Sequence, residues 1–265
     1  MAISKRQNLI LEKIIKEYIN LAQPISSEFL EKKYDFGICP ATIRTEMQKL
    51  TDKGFLCQPH TSAGRVPTDK GYRFFVDELL EEEFENFEIG DWFENEAKRS
   101  FSSSSPFANR ASKGSQSGKE SEALFDYARV VEDNIRFIQN LTKNLAHISG
   151  ALALSYLDKE KVFWKEGWEE ILKEPEFTEK DFAINFAEFL ENFEENIEDF
   201  EINSGIKIYI GKENPFKKAK DFSLISSRCC LPNKKGIISL LGPKRMAYDR
   251  NISLINSLNK LLADF

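Results

Sequence analysis

Residues 40–54, PATIRTEMQKLTDKG, and residues 55–76, FLCQPHTSAGRVPTDKGYRFFV, decide the fold of this chain. Pro40 suits the first turn of a helix, because its missing N–H would have no helical partner there. Apolar residues then recur at spacings of four and three from Ile43 to Leu50, which places them on one face. The first stretch therefore predicts a helix with a polar outer face.

The period of the sequence changes after this helix. Two short extended runs, 55–58 and 65–66, flank a segment rich in turn-forming residues at 59–64. Thr68 is the predicted N-cap of a further helix. A polar-faced helix followed by a hairpin with a polar tip is typical of a winged helix, in which the helix enters a major groove and the wing reaches the adjacent backbone or minor groove.

Two more helices are predicted upstream, over residues 4–21 and from Ser26 or Ser27 to Lys33. Together with the helix from Pro40 they form a helix-turn-helix. Residues 1–80 are therefore interpreted as a winged helix-turn-helix domain.

Charge is divided unevenly along the 265 residues. Residues 1–76 hold 12 basic and 8 acidic side chains, a net charge of +4, so the remainder carries −10 of the total of −6. A mildly basic head on an acidic body suits DNA binding that is confined to one end.

The composition favours a cytoplasmic protein. No apolar run approaches a membrane span, and the first residues lack the apolar core of a signal peptide. The four cysteines show no Cys-x-x-Cys spacing, so reduced thiols are expected rather than disulfides or a metal site.

The rest of the chain is predicted to hold a linker and a second domain. Residues 81–118 are acidic and then rich in Ser and Gly, which is typical of a linker. A long helix over 120–149 carries a heptad stripe from Leu124 to Leu145. That stripe could pair with a second copy of the chain, or it could pack inside its own domain.

Alternating strands and helices follow the long helix, so the fold class is α+β and residues 119–265 form the second domain. Expected strands and helices lie at 151–156, 162–164, 177–200 (helix), 206–211, 224–231, 236–241 and 250–265 (helix).

Catalytic chemistry is not expected. The two histidines, His60 and His147, lie in separate regions, and neither a phosphate loop nor a metal-ligand spacing is found. Gly242–Met246, GPKRM, could bind an anion or could form a structural turn. We therefore expect that the protein is not an enzyme and that it binds neither a cofactor nor a metal.

Two blocks, PATIR at 40–44 and GFLCQPHTSAGRVPTDKGYRFFVD at 54–77, resemble the DNA-binding domain of the bacterial heat-inducible transcription repressor family HrcA. The blocks at 166–177, 206–215 and 242–250 are similar to the GAF-like C-terminal domain of the same family. The resemblance implies an inverted-repeat operator upstream of chaperone genes, a homodimer, release on heat shock, and modulation by the chaperonin GroEL.

Three departures from the family pattern stand out. The family carries a long segment with a dimerisation insert after the 151–156 strand, and here only a few residues replace it, so the chain resembles an internally shortened member. Cys39 replaces the usual capping serine before the recognition helix. Thr45 replaces the usual asparagine, which implies a changed operator.

The DNA-binding interpretation assigns roles to residues on three elements. The predicted contacts are Thr42, Arg44, Thr45, Gln48 and Lys49 on the recognition helix, His60, Thr61, Ser62 and Arg65 on the wing, and Lys70, Tyr72 and Arg73 on the next helix. Tyr72 could instead pack in the core. An alternative function is a sensor or protein-interaction module that uses the winged helix as a partner surface.

Overall fold

The computed structural model describes residues 3–81, 135–200, 202, 205–231 and 234–263. Most of the predicted linker and the first half of the predicted long helix lie outside these described residues.

Three helices open the chain and follow their capping residues. They are α1 (Lys5–Leu21), α2 (Ser27–Lys33) and α3 (Pro40–Asp52). Ser4 and Gln7 form a capping box at α1, and the Ser26 hydroxyl accepts from the Phe29 N–H at 3.1 Å. The Cys39 side chain accepts no hydrogen bond from a backbone N–H at the start of α3, as its substitution for serine predicts.

A short hairpin and a fourth helix complete the winged helix. Strand β1 (Leu56–Cys57) pairs antiparallel with β2 (Val66–Pro67), and α4 (Asp69–Glu81) follows. Thr68 caps α4, because its hydroxyl accepts from the Gly71 N–H at 3.1 Å. The predicted helix-turn-helix and wing are thus present.

The second domain is built on an antiparallel sheet of five strands in the order β4-β3-β7-β6-β5. Its strands are β3 (Leu152–Leu157), β4 (Val162–Glu166), β5 (Ile206–Ile210), β6 (Phe222–Leu231) and β7 (Lys234–Pro243). The three central strands are buried on both faces where their side chains are described, apart from half-buried Arg228 and exposed Lys235.

Helices cover both faces of this sheet. They are α5 (residues 135–149), α6 (Trp168–Ile171), α7 (Lys180–Glu195) and α8 (Tyr248–Ala263). Helices α5 and α8 pack on one face, and α7 packs on the other through buried Phe186, Phe189 and Phe193. This mixture of an N-terminal helical domain and a C-terminal antiparallel sheet confirms the α+β class.

The described half of the heptad stripe packs inside its own domain. Ile138, Thr142 and Leu145 are at most 3% exposed. The Thr142 hydroxyl lies 2.7 Å from that of Ser155 in β3. Pairing with a second copy along this half of the stripe is therefore excluded by burial within the chain.

Two helices of the second domain have bounds that differ from the prediction. The helix expected over 177–200 begins as a 3₁₀ turn, Pro175–Thr178, and α7 ends at Glu195. The aromatic stripe continues to Phe200, which lies beyond the helix but packs at 5.6 Å from the Phe193 ring, so the spacing of aromatic residues overstated the helix length. The last helix starts two residues early, at Tyr248.

The winged helix packs against the second domain. A continuous apolar cluster runs from Ile10 in α1 through Phe75 in α4 to Ile252 and Leu262 in α8. The Tyr72 and Tyr248 rings lie 5.7 Å apart across this boundary. One side of the winged helix is therefore covered, and helix α3 lies on another side.

Candidate nucleic-acid interface

Helix α3 separates its core face from a solvent face. Ile43, Met47 and Leu50 are at most 3% exposed. Arg44, Thr45, Gln48 and Lys49 are all exposed on the other faces. The helix therefore presents polar side chains in the manner that a major groove accepts.

Arg44 is the most accessible cation of this face. Its side chain is 72% exposed, and the carboxylate nearest to it in the described residues is that of Glu28, 3.8 Å away and itself 69% exposed. Such a surface ion pair is worth little and is easily exchanged for another anion. The guanidinium is free to make a bidentate contact to a base or phosphate.

The Lys49 side chain is held by an ion pair with a buried carboxylate. Its ammonium donates to Glu46 Oε1 at 2.8 Å, and Gln7 Nε2 donates to Glu46 Oε2 at 2.8 Å. The hydrogen bonds from Lys49 and then from Gln7 lower the pKa of the Glu46 carboxyl. Glu46 therefore stays ionised and fixes where Lys49 projects.

The polar side chains beside Arg44 are already engaged within the helix. The Thr45 hydroxyl donates to the Ala41 carbonyl at 3.0 Å. Gln48 Nε2 donates to Asp52 Oδ1 at 2.8 Å. The Thr45 hydroxyl proton is thus used, and that residue can offer a groove its lone pairs and its methyl group.

The start of α3 carries a thiol instead of a capping hydroxyl. Cys39 Sγ and half-buried Thr42 Oγ1 lie 3.4 Å apart. The hydrogen bond from Thr42 lowers the pKa of the Cys39 thiol.

The wing tip is shaped by a side chain that the sequence pattern does not single out. Gln58 Nε2 donates to the carbonyls of Thr61 and Ala63, both at 2.9 Å. His60, Thr61 and Ser62 are exposed on the resulting turn. The wing thus presents its predicted contact residues, and Gln58 positions them.

Arg65 lies at the base of the wing rather than at its tip. Its Nε donates to Thr51 Oγ1 at 3.0 Å and its Nη2 donates to Gln48 Oε1 at 2.8 Å. Its backbone pairs with that of Ile25. Arg65 therefore ties the wing to α3 and orients Gln48.

The structure corrects the expectation for Tyr72. The side chain is 2% exposed, and its hydroxyl has no hydrogen-bond partner among the described residues. Burial raises the pKa of Tyr72 well above its ordinary value. Tyr72 is a core residue, because its face of α4 is covered by the second domain, and it does not reach a nucleic acid.

The two cations of α4 differ in accessibility. Lys70 is exposed, with its ammonium 4.5 Å from the centre of the Phe55 ring and 2.7 Å from the Lys53 carbonyl. Arg73 is half-buried, with its Nε 2.9 Å from Glu213 Oε1 in the second domain. Lys70 remains available to an anion, whereas Arg73 is committed to the body of the protein.

The described part of the chain holds neither a cluster of metal ligands nor a membrane-spanning helix. No group of three or more His, Cys, Asp or Glu side chains there could hold a metal ion. Within the same residues, every helix is too short or too polar to cross a membrane.

Comparison with known proteins places this geometry in a family. The profile described as the HrcA protein C-terminal domain matches residues 100–252, more than half of the chain. The chain is 31% identical to the heat-inducible transcription repressor HrcA of Natranaerobius thermophilus, covering 96% of this chain and 94% of that protein. It is 30% identical to the protein of that name from Thermodesulfovibrio yellowstonii, covering 99% of each.

The alignments also bear on length. The two span 325 and 343 positions, against 265 residues in this chain, so the relatives carry at least 60 and 78 residues for which this chain has no counterpart. This agrees with an internally shortened member.

A solved structure shares the architecture. The crystal structure of a hypothetical protein superposes with a TM-score of 0.70 at 20% identity, covering 99% of this chain and 98% of the other. At that identity the likeness shows the fold alone, and the sequence matches carry the assignment. This chain belongs to the HrcA family.

Proposed function

We propose that this protein is a transcription repressor of heat-shock and chaperone genes, which binds an inverted-repeat operator as a homodimer through α3 and the wing and is released on heat stress. The observation that carries the proposal is the exposed polar surface on these two elements. It comprises Arg44, Thr45, Gln48, Lys49, His60, Thr61 and Ser62, joined by half-buried Thr42 and, at the wing base, Arg65.

Each group has a role in this proposal. Arg44 reads a guanine edge or clamps a phosphate, since a guanidinium can make two parallel hydrogen bonds to either. The wing residues and Lys70 contact phosphates beside the groove, which positions the protein without specifying sequence. The Thr45 methyl faces the groove and fits the methyl group of a thymine, so the operator differs at the position that asparagine reads in the family.

A dimer is required because one winged helix buries little surface on DNA. Two copies on a two-fold operator double the contacts and mirror the symmetry of the inverted repeat. Residues 1–80 bind DNA in this arrangement, 81–118 connect, and 119–265 form the GAF-like body. Because the relatives' extra segment is missing, we propose that another surface of the body forms the dimer.

The cellular setting is proposed on the same family grounds. The protein acts in the cytoplasm, without a cofactor, without enzymatic activity and away from the membrane, and the chaperonin GroEL modulates its active state. The curated relatives carry the name of a repressor and support this setting.

The test is a mobility-shift titration on the family's inverted repeat and on a scrambled duplex, at two salt concentrations. Arg44→Ala should cost about 1–3 kcal/mol of operator binding if Arg44 contacts a base. The matched control is Arg136→Ala, which removes the same charge from an exposed position on α5 in the other domain. Unchanged binding of Arg44→Ala to the repeat would show that α3 is not the recognition helix.

A second function, a protein-interaction module, uses the same winged-helix surface. It predicts negligible affinity for any duplex, even at low salt where phosphate contacts are strongest. Binding of the wild-type protein to neither duplex at either salt concentration would favour it.

A further inference from the structure

We propose that the body of the protein holds the winged helix in one fixed orientation through a polar docking interface, and that this orientation sets the distance between the two recognition helices on the operator. The docking interface is formed by Asp69, Arg73 and Ile19 of the winged helix with Ile208, 211–213 and Lys244–Arg245 of the body. The second part of the proposal, that this orientation sets the distance between the recognition helices, rests on the proposed function.

The first contact is at the start of α4. Asp69 Oδ1 accepts from Lys244 Nζ at 2.9 Å, and Asp69 Oδ2 accepts from the Lys212 N–H at 3.2 Å. Gly211 makes the close approach possible. A Cβ there would lie 2.5 Å from Asp69 Oδ2, and the φ of +56° is one that side-chain-bearing residues rarely adopt.

The second contact lies one turn further along α4. Arg73 forms a bidentate pair with the Glu213 carboxylate, and its Nη2 donates to the Ile208 carbonyl at 2.7 Å. The Arg73 side chain is only 27% exposed, so solvent screens this pair less than the one between Arg44 and Glu28. A guanidinium held at both ends of its fork fixes the rotation of α4 about its axis.

The third contact is at the last turn of α1. Arg245 is 9% exposed, and its Nη1 donates to the Ile19 carbonyl at 2.9 Å. Its other donors are held by Glu174 and Glu176 of its own domain. The body thus reaches a carbonyl at the end of α1 with an arginine that is itself fixed.

These contacts explain the GPKRM segment that the sequence left open between an anion site and a turn. Its lysine and arginine bind the winged helix and carboxylates of the protein, so the segment is a structural turn that docks one domain on the other. The contacts lie on two different helices of the winged helix, which restrains both its tilt and its rotation. The exposed face of α3 and the wing remain open in this docked state.

Docking leaves a polar group at the domain boundary buried without a partner within the described part of the chain, and this favours separation once the docking contacts are removed. The Tyr72 hydroxyl lies buried at the boundary, with no partner in the described residues. Separation of the two domains would return the Tyr72 hydroxyl to water and restore the hydration that docking removes.

A fixed orientation matters most for an inverted repeat. Two recognition helices must reach grooves one helical turn or a multiple of it apart. A winged helix that rotates freely on its body can still bind a half-site, but it loses the advantage of simultaneous binding at both. Loosening the docking interface should therefore lower affinity for the repeat more than affinity for a half-site.

The experiment compares Lys244→Ala and Arg73→Ala with Arg228→Ala as a matched control. Arg228 pairs with Asp158 at 3.0 Å inside the body, where both side chains are 35% exposed. Calorimetry of the full chain requires no DNA. We expect one unfolding transition in the wild type and the control, and a separate, earlier transition of the winged helix in the two docking variants.

The same four proteins are then titrated with the inverted repeat and with a single half-site. We expect the ratio of the two affinities to fall about tenfold in the docking variants and to stay unchanged in the control. A single transition in the docking variants, as in the control, would overturn the docking interface. Separate transitions with an unchanged ratio would overturn its role in spacing. Wild-type protein that binds neither DNA would refute the proposed function and the spacing role, while calorimetry still decides the docking.

Discussion

Two cationic faces of the same winged helix behave differently. On α3, Arg44 is 72% exposed, and the Glu28 carboxylate beside it is 69% exposed. On α4, Arg73 is 27% exposed and is held by Glu213 and a main-chain carbonyl. Each arginine lies in a stretch that resembles the family's DNA-binding domain. A basic residue in such a stretch can therefore serve a partner molecule or its own protein, and its exposure and its contacts distinguish the two.

The largest expected effect on stability comes from reversing the charge of Arg73, on the face of α4 that contacts the second domain. Arg73→Glu places a carboxylate beside Glu213 and Asp77, and repulsion at this partly exposed site should lower the free energy of unfolding by about 1–4 kcal/mol. Urea denaturation measures the change. Arg44→Glu is the control on the solvent face of α3 and should shift the free energy of unfolding by no more than about 0.5 kcal/mol. Equal losses in the two variants would remove the distinction between the faces.

Gly71 tests how closely α4 must approach the wing strand. A Cβ at this position would lie 2.3 Å from the Phe55 carbonyl oxygen. Helix propensity favours alanine by about 1 kcal/mol, but the clash should override it and make Gly71→Ala destabilising by about 1–3 kcal/mol. Chemical denaturation decides the sign. A more stable variant would mean that α4 can move away from Phe55.

Cys39→Ser tests the missing side-chain cap at the start of α3, the helix that carries Arg44. A serine hydroxyl can accept the N–H that the thiol leaves uncapped at the start of α3, which should raise Tm by about 2–4 °C. Thermal unfolding monitored by circular dichroism measures the shift. Cys57→Ser, at an exposed strand position with no helix to cap, is the control and should not raise Tm.

The smallest expected effect is that of Tyr72→Phe. The substitution removes a buried hydroxyl with no partner in the described residues, so stability should stay constant or rise by up to about 1 kcal/mol. Operator affinity should not change, since the side chain does not reach the surface. A loss of affinity at constant stability would return Tyr72 to the DNA interface.

Helix starts and the exposed face of α3 could be predicted from the sequence, because residues within a few positions determine them. Ser4, Ser26 and Pro40 define the starts of the first three helices through capping and fixed φ. The missing cap at Cys39 follows from chemistry alone. The exposure of Arg44 and Thr45 follows from a stripe of apolar residues at helical spacing.

The remainder depends on partners that are distant in sequence. Arg73 meets Glu213 across 140 residues and Asp69 meets Lys244 across 175, and no periodicity near α4 reveals either pair. The sequence near Tyr72 fits a core residue and a DNA contact equally well, because the helix that covers its side chain, α8, is distant in sequence. Thr142 fits a heptad stripe equally well whether a second copy or Ser155 of the same chain lies opposite.

The thiol at the start of α3 also has a practical consequence. Three cysteine side chains are described. Cys229 is buried. Partial desolvation of the Cys57 sulfur raises the pKa of that exposed thiol, whereas the hydrogen bond from Thr42 lowers the pKa of Cys39. Since the thiolate is the nucleophile, a maleimide dye near neutral pH should attach to Cys39 faster than to Cys57. The natural chain thus provides an attachment point for an environment-sensitive fluorophore at the edge of the proposed interface, where fluorescence would report occupancy.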